Sequence, residues 1–376
     1  MRRVCCFKAL AGICCALFGV LNALADTLDN WQMVSPSPQV NSLYNVIYTN
    51  GLFLVCGANG AITTSTNGIN WTNRNSGSSS ALRGTTFGNA TYVTVGYNLL
   101  TRTVLTSTNV TKWKSRKAAQ AKYFLATTFA AGTFVTVGSA GTLQTSTNGM
   151  SWTKRVAVTT NDLYGVAYGG NNFVAVGAAG TILTSSDAIN WTNRVSGTTN
   201  LLRGIAYSDG IFVVVGHGGT ILNSANGIDW NSANSGTTKL LFGVGHGAGN
   251  FVAVGSVGTI VTSTDAINWV PRNSSVTNNL FSVTYGDGTF VAVGISGLIL
   301  YASSAVQPTL TADGYSSDGF RLTITGEVGR AYRLQCSHDS STWTDLLSYT
   351  NTQSSFQYLD TSATNARIRY YRIASP

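Results

Sequence analysis

Tryptophan recurs at positions 31, 71, 113, 152, 191, 230 and 269, at intervals of 40, 42, 39, 39, 39 and 39 residues. A sustained period of this length marks a chain built by repeating one supersecondary unit. Each unit holds four short apolar segments; in the fourth copy they read LYGVAYG, FVAVG, GTILTS and WTNRVSG. Val, Ile, Phe, Tyr and Thr fill the segments while Gly, Asn, Asp and Ser separate them, which predicts strands joined by tight turns. Four strands in roughly 40 residues is the size of a propeller blade, whereas kelch units run nearer 50 and β-helix rungs are much shorter. The GH and WD signatures of WD repeats are absent at the required places, and a two-layer sandwich would need no identical units.

The last copy, FVAVGISGLILYASSAVQP, has no tryptophan. It supplies three strands without a fourth, and Trp31 in NWQMVSP stands in the phase of a fourth strand ahead of the first complete unit. Pairing these two ends closes a ring of seven and removes the exposed sheet edge that an open stack would leave. The predicted fold class is therefore all-β: a seven-bladed β-propeller over residues 26–305 closed by an N-terminal strand. After Gln307-Pro308 the repeat stops, and FRLTITG, AYRLQCS, SSFQYLD and RIRYYRIA predict a small β-sandwich over 306–376.

Residues 1–25 read as a secretory signal peptide: Arg2 and Arg3, an apolar run from Ala9 to Val20, and Ala23-Leu24-Ala25 as a cleavage site. The protein is expected to be secreted or held at a cell surface or in a periplasm. No later segment is apolar for long enough to span a membrane. Four of the six cysteines lie in the leader, leaving Cys56 and Cys336, between which a disulfide is open but unsupported. The formal charge of +9 centres on Lys112, Lys114, Arg116, Lys117 and Lys122, a run that grips an anionic polymer or simply solvates a strand face. It does not predict nucleic acid.

The segments STNGINW (Ser65–Trp71), STNGMSW (Ser146–Trp152), SSDAINW (Ser185–Trp191), SANGIDW (Ser224–Trp230) and STDAINW (Ser263–Trp269), with STNVTKW (Ser107–Trp113) as a weaker copy, resemble the Asp box (BNR repeat) of sialidase-like propellers. Each is one residue shorter than the family pattern. The repeat region as a whole looks like the broad sialidase-like and photosystem-assembly-factor-like group of secreted bacterial propellers. The tail resembles fibronectin-type-III-like modules through YRLQCSHDSSTWTDL and YYRIASP. The Asx of each box is expected to accept backbone N–H bonds from its own turn, and the indole to cover the hairpin, contributing about 2–3 kcal/mol. In the resembling family these hairpins lie opposite the substrate face. Trp31, Trp71, Trp113, Trp152, Trp191, Trp230 and Trp269, with Asp187 and Asp265, are thus expected to be architectural.

Function is expected where the loops entering each first strand meet those joining second to third strands, around the central channel. There the informative residues are those that differ between copies. Tyr44, Arg83, Leu125, Tyr164, Arg203, Phe242 and Phe281 follow the apolar residue that opens each first strand. They supply aromatic faces and guanidiniums for sugar rings or peptides, or pack neighbouring blades together. Tyr97, in the YNLLTRT insertion, His217, in GHGG, and Asp162, in TTNDLYG, complete the candidate ligand-binding set. The remaining second-to-third-strand turns are mostly GxxG, too small for a deep pocket, and no strand-to-helix phosphate loop follows them.

A glycosidase needs two carboxylates facing one bond. Glu327 is the only glutamate, in the tail, and Asp162 is the one aspartate expected on the binding face. No grouping predicts acyl transfer, a metal site or a cofactor. The expectation is a monomeric, non-catalytic binding scaffold for an extracellular glycan or protein. The alternatives are a sialidase-like or other glycoside-processing enzyme and an assembly factor for an exported complex.

Overall fold

A computed structural model describes residues 27–98, 102–119, 122–156, 158–303, 309–326, 331–339, 342–353, 355–365 and 369–374. The leader, Glu327 and part of the Tyr97–Thr103 insertion lie outside them. Seven four-stranded antiparallel sheets form the propeller. Blade 1 runs from Leu43 to Arg74, blade 2 from Ala81 to Ser115, blade 3 from Phe124 to Lys154 and blade 4 from Leu163 to Arg194. Blade 5 covers Leu202 to Ala233, blade 6 Leu241 to Arg272, and blade 7 Leu280 to Ser303.

Blade 7 takes its fourth strand, Gln32–Met33, from the other end of the chain: Gln32 pairs with Tyr301 and Met33 with Leu300. The Val34 amide continues the ladder to the Ile299 carbonyl at 3.0 Å, and the Tyr301 hydroxyl donates to Gln32 Oε1 at 2.6 Å. Trp31 is buried, its ring 6.4 Å from Phe290. The ring therefore closes with its N-terminal ribbon.

The core lies between blades. Val213, Val215 and Ile221 of blade 5 pack with Leu241, Phe251 and Ala253 of blade 6, and comparable clusters recur around the ring. Phe53, Phe134, Phe173, Phe212, Phe251 and Phe290, one from each of six blades, are fully buried. Burying each such ring contributes about 1.5–3 kcal/mol.

Ala25–Ser304 forms one compact unit, and Ala305–Pro376 belongs to another. The second unit has two three-stranded antiparallel sheets: Thr309–Ser316, Gly319–Thr325 and Ser355–Asp360 in one, Ala331–Ser337, Thr344–Thr350 and Tyr370–Ala374 in the other. Phe320, Leu322 and Ile324 of the first meet Leu334, Cys336 and Tyr371 of the second, so this unit is a small β-sandwich. At its edge Arg369 pairs with buried Asp360 at 3.0 Å, and the Tyr371 hydroxyl donates to the same carboxylate at 2.9 Å. Cys56 and Cys336 are both free, each buried in the core of its own unit. No described helix is long and apolar enough to cross a membrane.

Candidate functional site

The first strand of every blade carries a register shift against the second, immediately after its opening apolar residue. The extra residues are Tyr44, Arg83, Leu125, Tyr164, Arg203, Phe242 and Phe281. A β-bulge leaves its extra residue unpaired and re-aims the side chain. The fold thus offers seven equivalent positions at one end of the ring whose side chains the ladder does not constrain.

Backbone bonds bring the second-to-third-strand turns to the same end. The residue after the first Gly of each GxxG turn donates to the carbonyl just ahead of a first strand: Ala58 to Ser42, Ser139 to Tyr123, Ala178 to Asp162, His217 to Leu201, Ser256 to Leu240 and Ile295 to Asn279, all at 2.8–3.0 Å. The fit leaves no room for a side chain at the second Gly. At Gly180, φ is +67° and a Cβ would collide with the Thr198 carbonyl oxygen. These turns are floor, not wall.

Six of the seven bulge side chains join into one arc. The Arg203 guanidinium lies 5.5 Å from the Tyr164 ring and 4.9 Å from Phe242. Phe242 meets Phe281 at 5.5 Å, and Phe281 meets Tyr44 at 5.7 Å. Arg83 then sits 3.8 Å over Tyr44. Leu125 of blade 3 interrupts the circle. Arg83 also donates to the Tyr97 hydroxyl at 3.3 Å, and Tyr97 stacks at 4.4 Å on Tyr123, which carries the aromatic surface outward over blade 3. Inter-blade packing and exposure coexist here, because all six arc residues remain half-buried.

Among the described residues neither guanidinium has a carboxylate partner, and the buried Arg83 Nε has no hydrogen-bond partner. Burial, then the positive charge of Arg83, lowers the Arg203 pKa. Burial, then Arg203, lowers that of His217. Burial and the adjacent Asp162 raise the Tyr164 phenol. The mouth is therefore a cationic, ring-lined rim poised for an anionic or π-rich ligand.

Asp162 has another task. Its Oδ1 accepts the Ala140 amide at 2.8 Å and its Oδ2 accepts the Tyr164 hydroxyl at 3.3 Å. Asn279 takes the Val257 amide in the same way, so Asp162 clasps the turn of blade 3 to blade 4. Among the described residues, no group of three His, Cys, Asp or Glu side chains is placed to hold a metal ion.

The opposite end of blades 1 to 6 is occupied by the Ser-x-Asx hairpins. Asp187 Oδ1 accepts the Ile189 and Asn190 amides, both at 2.8 Å, and Trp191 Nε1 donates to the Ala188 carbonyl. Asn67, Asn109, Asn148, Asn226 and Asp265 accept the corresponding pair of amides in their own turns. These bonds hold the Asp187 and Asp265 carboxyls well below the usual carboxylate range. The indoles of Trp71, Trp113, Trp152 and Trp230 donate in the same manner but are only half-buried, and Trp269 is buried.

Two features at the two ends escape sequence reasoning. Tyr123 stands ahead of the opening apolar residue of a first strand, at a position taken elsewhere by Ser, Ala, Asp, Leu or Asn, and that contrast is the available cue. At the hairpin end, Ser208 Oγ lies 2.8 Å from His246 Nδ1, and His246 Nε2 lies 3.1 Å from Asp209 Oδ2. Residue order holds no hint of this Ser, His and Asp grouping, because it joins two blades. Nε2 nonetheless makes no hydrogen bond, since the carboxylate is close but off its N–H direction. Elsewhere this interface packs an aromatic ring on glycine, as Tyr207 does on Gly169. We take the Ser208–His246 bond as a polar version of that contact, with a His246 pKa lowered by burial against the opposing pull of Asp209.

No family model matches the chain, and no curated protein does. Solved structures do. YCF48 from Cyanidioschyzon merolae is 17% identical with a TM-score of 0.60, over 73% of this chain and 98% of that one. YCF48 bound to D1 peptide is 14% identical with a TM-score of 0.61, over 73% and 94%. A catalytically inactive virginiamycin B lyase from Staphylococcus aureus with quinupristin is 11% identical with a TM-score of 0.64, over 73% and 99%. At these identities the likeness shows the β-propeller fold.

Proposed function

We propose that the protein is a non-catalytic scaffold whose channel mouth holds a polypeptide partner, in the service of assembling an exported complex. The observation that carries this reading is the arc from Tyr164 through Arg203, Phe242, Phe281 and Tyr44 to Arg83, which combines stacking faces with two uncompensated guanidiniums. Rigid rings and forked cations are the residue types that anchor protein interfaces. The likeness to a YCF48 structure that holds a D1 peptide favours a peptide over a glycan as occupant of such a mouth. Export rests on the leader-like residues 1–25, and amino-terminal sequencing of the mature protein beginning at Asp26 tests it.

The central experiment is cross-linking and affinity capture of partners from the exported proteome, followed by peptide titration against the double variant Arg83→Ala/Arg203→Ala. Binding is expected to weaken about 100-fold, roughly tenfold for each guanidinium removed. Peptide affinity unchanged in the double variant, or arginine-dependent capture on a glycan array without peptide binding, overturns the proposal.

A further inference from the structure

Charge is divided sharply around the ring. From Asn30 to Asn161, which spans blades 1 to 3, the chain has ten Lys or Arg and no Asp or Glu; from Asp162 to Ser303, spanning blades 4 to 7, it has four Lys or Arg against six Asp. The basic excess cannot be neutralised locally, because that half of the ring contains no carboxylate.

The structure gathers much of the excess on one edge. Lys114 lies on the outermost strand of blade 2, paired with Thr106, and Lys154 on the outermost strand of blade 3, paired with Gln144. The Gln144 side chain accepts the Ala119 amide at 3.1 Å. The connection between the two blades is therefore pinned beside the outer edge of blade 3, and Lys117 comes with it. Lys112, Lys114, Lys117, Lys122 and Lys154 are all exposed. Beside them Val156 and Val158 are 82% and 47% exposed. The corresponding edge of blades 5 and 6 has a single lysine, Lys239, and Asp229 and Asp265 in its hairpins.

We propose that the blade 2–blade 3 edge docks on an anionic phospholipid bilayer. A polymer such as nucleic acid is gripped by a groove with stacking rings and forked donors. Here the cations are mostly lysines on the outward edge of a disc, point charges suited to a diffuse sheet of headgroups. The exposed Val156 and Val158 are apolar side chains that enter the interfacial layer once charge has brought the edge close. The slightly acidic remainder of the ring is repelled by the same surface, which fixes orientation: blades 2 and 3 inward, blades 5 and 6 away. The channel-mouth arc is not needed for this docking.

Co-sedimentation of the intact protein with vesicles of about 30% phosphatidylglycerol in phosphatidylcholine tests the proposal, since attraction of about fivefold per basic residue is expected near such a surface. Binding should be absent on pure phosphatidylcholine and fade as salt shortens the screening length. Lys112→Glu/Lys114→Glu/Lys117→Glu/Lys154→Glu should lower partitioning more than about 600-fold, about fivefold for each position, while Lys239→Glu changes it less than about twofold. Cooperative thermal unfolding and unchanged peptide affinity in the quadruple variant confirm that neither fold nor channel mouth is affected. Three results overturn the proposal: a loss with Lys239→Glu equal, per charge reversed, to that of the quadruple variant, which means net charge alone; equal binding to pure phosphatidylcholine; or tight binding to heparin or duplex DNA with none to the anionic vesicles.

Discussion

The two ends of one blade are built on opposite rules. At the hairpin end, six turns repeat the same Ser, Asx and Trp and make the same amide bonds whether the acceptor is Asp187 or Asn148. At the channel end, seven bulges share a backbone geometry and carry Tyr, Arg, Leu, Tyr, Arg, Phe and Phe in turn. Repetition marks what the ring needs for its own stability, and variation on a fixed bulge marks where the ring is free to meet something else. Substitutions at the hairpin end should therefore cost stability, and those at the bulges binding.

The largest test of that contrast is Trp31→Ala. It empties the buried indole site against Phe290 at the closure and should cost about 3–5 kcal/mol in denaturant unfolding. A loss under about 1 kcal/mol would deny the closing ribbon its structural weight. Gly180→Ala, in the floor of the mouth, should cost about 1–3 kcal/mol because a side chain must adopt positive φ against the Thr198 carbonyl. Asp187→Ala removes the acceptor of two amides and should cost about 1 kcal/mol. At the other end, Arg203→Ala should move stability by less than about 0.5 kcal/mol even as peptide affinity falls.

The finest test is pH. The folded Asp187 pKa is depressed, so its contribution is fully present above the unfolded value of about 3.9 and is lost as pH falls through the folded one. Asp187→Asn keeps an acceptor for both amides without a titrating group. Acid unfolding curves should show a smaller loss of stability below about pH 4 in this variant than in the parent, as already holds for the hairpins built on Asn.

The ring, its count of blades and its closure were legible because they depend on a period, and a period needs no partner strand to be seen. Trp31 could be placed from its phase alone. The seven bulge positions were found by the same phase, but not their geometry, since a bulge is a relation between two strands and leaves no mark in either. Meetings between side chains of different blades were beyond reach for the same reason. Arg83 and Tyr44 are neighbours only because blades 1 and 2 are, and Asp162 reads as a free carboxylate until the Ala140 amide is found against it. The charge division was present in the residue order, but it acquires meaning only once a stretch of chain becomes a sector of a disc.

Gln32–Met33 pairing with Leu300–Tyr301 carries a consequence for biogenesis. Gln32 and Tyr301 stand 269 positions apart, so a nascent chain emerging from the ribosome has made its first β-ribbon long before the strand that will receive it exists. Until the last blade arrives, both extremities present bare backbone donors and acceptors, the condition in which one molecule zips onto another. Circular order is reached only once the seventh blade is present to receive the ribbon.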